Sequence, residues 1–200
     1  MTTFEDWAKE PVPQSVLIAI DETPGWLSLD EAALLYHLAR QATTGSIVEV
    51  GSYRGRSTVA LAKGAVAGGN RPVYAIDPHE KFTGVLGGQF GPEDRGVFFQ
   101  VMLRTSSYQN VRLVNLSSEV ITPGWKGPVS LLWLDGDHTY AGVKRDFDCW
   151  KNHLTPTAYI AFDDATDPRL GPRKLIGEII NSGEFELFIA IGKVVVVKAT

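Results

Sequence analysis

Four acids and one histidine stand out for where they fall in the sequence. Asp77 follows Val-Tyr-Ala-Ile, Asp135 follows Leu-Leu-Trp-Leu, and Asp163 follows Tyr-Ile-Ala-Phe, with Asp164 doubling the last acid. If those apolar runs are neighbouring strands, Asp135, Asp163 and Asp164 gather three like charges that need a cation or protons to coexist. An all-oxygen set of this kind suits Mg²⁺, Mn²⁺ or Ca²⁺ over zinc. Asp137, two residues further into the loop, is an alternative ligand. His138 stands three residues after Asp135, where an imidazole takes a hydroxyl proton near neutral pH. A plainer chemistry is equally open for each residue alone: acids after strands cap the next helix, and His138 caps a helix beginning near Tyr140. His37 lies mid-helix, His153 near a helix end and His79 in a mobile-looking loop, so they are weaker candidates.

The elements that must carry these side chains alternate. Ser28 and Glu31 form a capping box before the helically spaced Ala32, Leu35, Leu38, Ala39 and Ala42, so one helix precedes the first strand. Ile47 to Val50 reads as that strand and 56–67 as the helix after it. The segments 72–76, 111–116, 129–134 and 157–162 read as further strands, with helices from Pro92 to about Ser106, from near Tyr140 to Leu154, and from Pro172 to near Gly183. Phe185 to Ile191 and Lys193 to Lys198 read as a closing antiparallel hairpin around Gly192. Strands alternating with helices predict an α/β fold with a mostly parallel sheet and helices on both faces. Right-handed crossovers put every strand's C-terminal end, and with it Asp77, Asp135 and Asp163, on one ligand-binding rim.

The loop after the first strand narrows the ligand. Its sequence is Glu49-Val-Gly51-Ser-Tyr53-Arg-Gly55-Arg-Ser57-Thr58. A dinucleotide fingerprint starting at Gly51 needs glycine where Tyr53 and Arg56 stand, which disfavours a dehydrogenase, and no P-loop spacing can be drawn through it. What remains is a tight turn with backbone N–H groups free at a helix N-terminus, preceded by an acid. That suits a ligand with one carboxylate and one amine, such as the methionine end of S-adenosylmethionine.

This loop resembles the first motif of class I S-adenosylmethionine-dependent methyltransferases, in the E-x-G-x-x-x-G-x-S form of the catechol and caffeoyl-coenzyme A O-methyltransferase relatives. The segment Asp135-Gly-Asp137-His138-Thr-Tyr140-Ala-Gly-Val-Lys-Arg-Asp146 is similar to the D-G-D-H-S-Y-E-G-V-x-x-D stretch of a bacterial branch. That branch includes macrolide-sugar O-methyltransferases and cephalosporin-hydroxylase-like proteins. The resemblance runs from about Trp26 to the C-terminal hairpin. It implies a Rossmann-like sheet of seven strands and one methyltransferase domain over 1–200, in which a helical segment 1–45 covers the site of a 46–200 core. It also implies cofactor contacts from Glu49, Gly51, Tyr53, Gly55, Ser57 and Asp135, ribose hydroxyls on Asp77, and adenine beside Ser118, with Glu119 as a second candidate. The metal falls on Asp135, Asp163 and Asp164, and His138 stands where catechol-type enzymes place a lysine base. Ser117-Ser118-Glu119 also reads as a helix N-cap. The loop 80–91 is a candidate lid or an ordinary flexible connection.

Composition excludes other classes. The 200 residues are 44% hydrophobic and 21% charged with a formal net charge of −4, so the chain is globular and lacks the basic surface that phosphate-backbone binding needs. Nucleic acid is not an expected partner. The longest apolar runs are far shorter than a membrane span, and the opening Met-Thr-Thr-Phe-Glu-Asp-Trp has neither a basic nor an apolar signal region. Cys149 is the only cysteine and reads as a core thiol in a cytoplasmic protein. The expected partner is a small molecule bearing a hydroxyl, with an accessory cofactor-binding protein as the alternative function; self-association is left open.

Overall fold

Along the strands, apolar side chains alternate between two faces, and both faces are covered. The structure, a computed structural model, describes residues 10–200. In chain order its strands are β1 (Ser46–Val50), β2 (Val73–Ile76), β3 (Phe82–Thr83), β4 (Gln89–Phe90), β5 (Val111–Val114), β6 (Val129–Leu134), β7 (Leu154–Phe162), β8 (Phe185–Ile191) and β9 (Val194–Ala199). The helices are α1 (Gln14–Asp21), α2 (Leu29–Gln41), α3 (Arg56–Ala67), α4 (Pro92–Arg104), α5 (Ser118–Ile121), α6 (Tyr140–Trp150) and α7 (Gly171–Asn181). Seven strands make one sheet in the order β5-β2-β1-β6-β7-β9-β8; β5 to β7 pair in parallel, while β9 is antiparallel to both β7 and β8. This is the expected Rossmann-like sheet.

Two hydrophobic clusters hold it. Ile47, Leu131, Trp133 and Val196 meet residues of α1 to α4 on one face. Their neighbours Val48, Leu132, Leu134 and Val197 meet α6 and α7 on the other. The period of two along each strand is therefore what splits the core into two layers.

Register then fixes the rim. Ile76, Val50, Leu134 and Phe162 are aligned across β2, β1, β6 and β7. One residue on, the N–H groups of Asp77, Asp135 and Asp163 donate to Val114, Val50 and Leu134 carbonyls at 3.1, 2.9 and 3.0 Å. The three acids are thus set by the sheet's own ladder.

The structure corrects several details. Helix α1 is a second helix before β1; it starts after Pro13 with no side-chain cap, which is why no N-cap signal marks it. The 80–91 loop carries the β3–β4 ribbon. β9 is inserted between β7 and β8, so the hairpin's second strand, not its first, meets the parallel sheet. Cys149 is half-buried on α6 instead of in the core. The opening segment read for a signal lies, up to residue 9, outside the described residues.

Candidate active site

A cavity of about 750 Å³ opens at the rim, and its two ends differ in chemistry. At one end the chain turns sharply after β1. Gly51 has φ 84° and Gly55 φ 95°, and a Cβ on Gly51 would collide with the Asp135 carbonyl. Glycine is required there because β1 and the turn after β6 approach backbone to backbone. The sequence had suggested free amides in this turn, but those of Ser52 and Tyr53 are taken. Asp77 Oδ2 accepts from Ser52 N at 2.8 Å and Tyr53 N at 2.9 Å, and Oδ1 accepts from His79 N at 2.8 Å. The His79 ring, buried beneath, contacts the Tyr53 carbonyl through Nε2 at 2.9 Å.

Glu49 is the clearest departure from the expected cofactor contacts. It is fully buried, is not on the cavity wall, and accepts from the Ser57 and Thr58 hydroxyls of α3. Burial pushes its pKa up to about 8 against those two hydrogen bonds. Its place is a bolt between β1 and α3, which positions the turn from below. Ser57 serves the same bolt and also touches the cavity. Above the turn, Trp26 stacks on Tyr53 with centroids 5.0 Å apart, and Phe90 meets both rings edge-on. Arg56 ties this roof down by donating to the carbonyls of Leu27 at 2.7 Å and Thr23 at 2.8 Å.

At the other end His138 lies between two carboxylates. Its Nε2 is 3.2 Å from Asp135 Oδ1 and its Nδ1 is 3.0 Å from Asp164 Oδ2. Lys193 Nζ sits 2.7 Å from Asp163 Oδ2 and 3.2 Å from Asp164 Oδ1. Burial alone would lower the His138 pKa, but hydrogen bonds to Asp135 and Asp164 and the charge of Asp163 outweigh it and raise it to about 10. The sequence led to the expectation of an ordinary near-neutral histidine, and these contacts shift its pKa upward. Its reading as a helix cap also falls, since the cap of α6 is Thr139, whose hydroxyl accepts from Gly142 N at 3.1 Å. The His138 bond holds the Asp164 carboxyl below its usual range. Burial and the Asp135 charge push Asp163 upward; burial would lower the Lys193 pKa, but the charge and hydrogen bond of Asp163 outweigh it and keep the ammonium protonated.

Ser118 is buried at the cavity wall, where its hydroxyl accepts from Trp150 Nε1 at 3.1 Å; Ser117 is the N-cap position, without a side-chain bond. Asp137 accepts from its own loop, Thr139 N at 2.9 Å, and stands apart from the cation-type grouping of Asp135, His138 and Asp163. The sequence reading missed Lys193, the Trp26 roof and the half-hidden Asp146, which is buried on the wall with its pKa raised by burial. Only Asp146 had a signal, inside the D-G-D-H segment. A further mark of the site is strain. Among the described residues, five non-glycine residues have positive φ, and three of them, Tyr53, His79 and Asp164, line this cavity.

Comparison with known proteins agrees with this geometry. Residues 48–165, more than half of the chain, match a family model described as a methyltransferase domain. An O-methyltransferase from Bacillus cereus, solved in complex with SAH, is 17% identical with a TM-score of 0.71, the alignment covering 100% of this chain and 98% of that one. The O-methyltransferase of tomaymycin synthesis from Streptomyces achromogenes, in complex with SAM, is 15% identical over 98% of this chain and 94% of its own, with a TM-score of 0.69. An SAH-bound methyltransferase from Podospora anserina is 12% identical over 98% and 92%, with a TM-score of 0.71. At these identities the solved structures establish the fold, and the domain match establishes the family: this chain belongs to the methyltransferase domain family, as a methyltransferase on the class I Rossmann-like fold.

Proposed function

We propose that this methyltransferase uses S-adenosylmethionine to methylate a hydroxyl of a small molecule, a sugar or natural-product scaffold, with a divalent cation, Mg²⁺ or Mn²⁺, in its acidic cluster. The observation that carries this reading is one cavity with the glycine turn and Asp77 at one end and His138 between carboxylates at the other. The cofactor lies along the first end, with its ribose toward Asp77 and its adenine toward Ser118. The acceptor oxygen attacks the methyl carbon, the carbon–sulfur bond breaks with its electron pair passing to sulfur, and the hydroxyl proton goes to His138. Asp135 and Asp164 stabilise the imidazolium that forms. The protein's remaining task is to hold oxygen, carbon and sulfur in line.

The cluster fits a cation. Asp163 Oδ1 is buried with no hydrogen-bond partner, and Asp135, His138 and Asp163 offer ligand atoms within 4.8 Å of one another. Asp135 and Asp163 would hold the ion, with Asp164 or His138 beside them. When bound, it supplies a Lewis acid to the acceptor oxygen. No described helix is long and apolar enough to cross a membrane, and we place the reaction in the cytoplasm, in keeping with a single free thiol.

Calorimetry with S-adenosylmethionine, S-adenosylhomocysteine and NAD, followed by product detection on a panel of hydroxylated acceptors, tests the reading. The first two ligands should bind and NAD should not. No heat with S-adenosylmethionine, or a methylated amine or carbon in place of an ether, overturns it.

A further inference from the structure

The acidic cluster contains a cation that belongs to the chain itself. Lys193 stands at the turn between β8 and β9, and its backbone is pinned on both sides. Its N–H donates to Glu31 Oε1 at 2.8 Å, and its carbonyl accepts from Ala165 N at 2.9 Å. Glu31 is the same residue whose other oxygen accepts from Ser28 N in the capping box of α2. The preceding Gly192 has φ 57°, and a Cβ there would collide with Glu31 Oε1, so the turn is built to this contact. The ammonium is thereby delivered to Asp163 and Asp164 from a fixed backbone, not from a free surface side chain.

Lys193 holds one oxygen of Asp163 and one of Asp164, at 2.7 and 3.2 Å. Asp163 Oδ1 is left buried and without a hydrogen-bond partner. Its other oxygen is the one Lys193 holds. We infer that Lys193 is a tethered cation that weakens divalent-ion binding in this cluster, because it already occupies one oxygen each of Asp163 and Asp164 and stands beside the Asp163 Oδ1 that an ion would take. The inference rests on the proposed function in taking this cluster as a cation site. An ammonium on Asp163 Oδ2 and a divalent ion on Oδ1 share one carboxylate, and their like charges repel across it. Lys193 therefore sets how tightly the protein holds its ion, and the ammonium offsets part of the cluster's negative charge whenever the ion is absent.

Mn²⁺ titrations of the full chain, with no methyl donor or acceptor present, test this apart from methyl transfer. Lys193→Met should bind Mn²⁺ at least about tenfold more tightly than the parent, a change of about 1.4 kcal/mol, and Lys193→Arg should stay near the parent. Adding Asp163→Asn to Lys193→Met should erase the gain. If Lys193→Met is not folded by circular dichroism, Lys193→Gln serves in its place, because it keeps a polar end without the charge. Affinity equal to the parent's in the folded variant overturns the inference, as does a gain that survives Asp163→Asn. A parent that binds Mn²⁺ tightly with no gain in the variant overturns the inference while leaving the proposed function standing. Absence of S-adenosylmethionine heat alongside the predicted Mn²⁺ gain does the reverse.

Discussion

At the glycine-turn end of the cavity a single carboxylate, Asp77, is met by backbone N–H groups of Ser52, Tyr53 and His79; at the opposite end Asp135, Asp163 and Asp164 are met by the side-chain cations of His138 and Lys193. Backbone amides do not titrate and cannot be exchanged for another donor without refolding the turn. Side-chain cations lose protons and can be displaced by ions. On the proposed function, the cofactor end is a fixed receptor and the reaction end should respond to pH and to metal.

The largest effect that bears on this contrast is expected at His138. His138→Ala should keep S-adenosylmethionine binding, because the other end of the cavity is built without it, but lose roughly 10²–10⁴-fold in turnover. With its pKa raised to about 10, the ring is mostly protonated near neutral pH. The neutral, proton-accepting fraction grows as pH rises, so the parent's rate without added metal should climb through pH 7–9 and level only above about 10. Initial rates across pH for both proteins check this. A parent plateau above pH 7, or the same rising limb in the variant, would remove His138 from the proton's path.

A smaller and different effect is expected at Asp77. Asp77→Ala removes the acceptor for three N–H groups as well as the ribose contact, so cofactor affinity should fall by on the order of 1.5–3 kcal/mol. Turnover at saturating cofactor should change far less than in His138→Ala, and calorimetry beside saturation kinetics separates the two. Equal losses in affinity and in saturated turnover would mean that the two ends are not independent.

The same contrast explains what was legible in the sequence. The glycine turn and the strand-end acids are local patterns: Gly51, Gly55 and the acid after each apolar run are visible as spacing, and the ladder bonds of Asp77, Asp135 and Asp163 follow once the sheet is inferred. The capping box at Ser28 and Glu31 was legible for the same reason. The place of Lys193 was not, because it depends on β9 inserting next to β7 and on Glu31 receiving a backbone N–H from a residue 162 positions away. Glu49 was legible as an acid before the turn but misread in direction, since only the packing of α3 shows that Ser57 and Thr58 claim both its oxygens. The His138 pKa was likewise out of reach, being set by Asp135 and Asp164 together.

Glu49 sharpens the comparison from the fixed side, because it is the titrating group beneath a turn otherwise held by amides. Its folded pKa is raised from 4.5 to about 8 by burial. The folded protein therefore keeps a proton that the unfolded chain releases above about pH 4.5, and stability falls as pH rises between those two values, then levels off above about 8. The slope attributable to this one group is at most about 1.4 kcal/mol per pH unit. Glu49→Gln carries no titrating proton and still offers an oxygen to one of the two hydroxyls, so its stability curve should be flatter than the parent's over pH 5–7. Asp163 is pushed upward in the same direction in both proteins and cancels in the difference. Urea unfolding at pH 5, 6 and 7 reads the two slopes. Parallel slopes would show that Glu49 is ionised in the folded protein, and the cofactor end would then hold a buried charge stabilised by two hydroxyls alone; a flatter variant would confine this end's pH response to stability and leave the response of rate to His138.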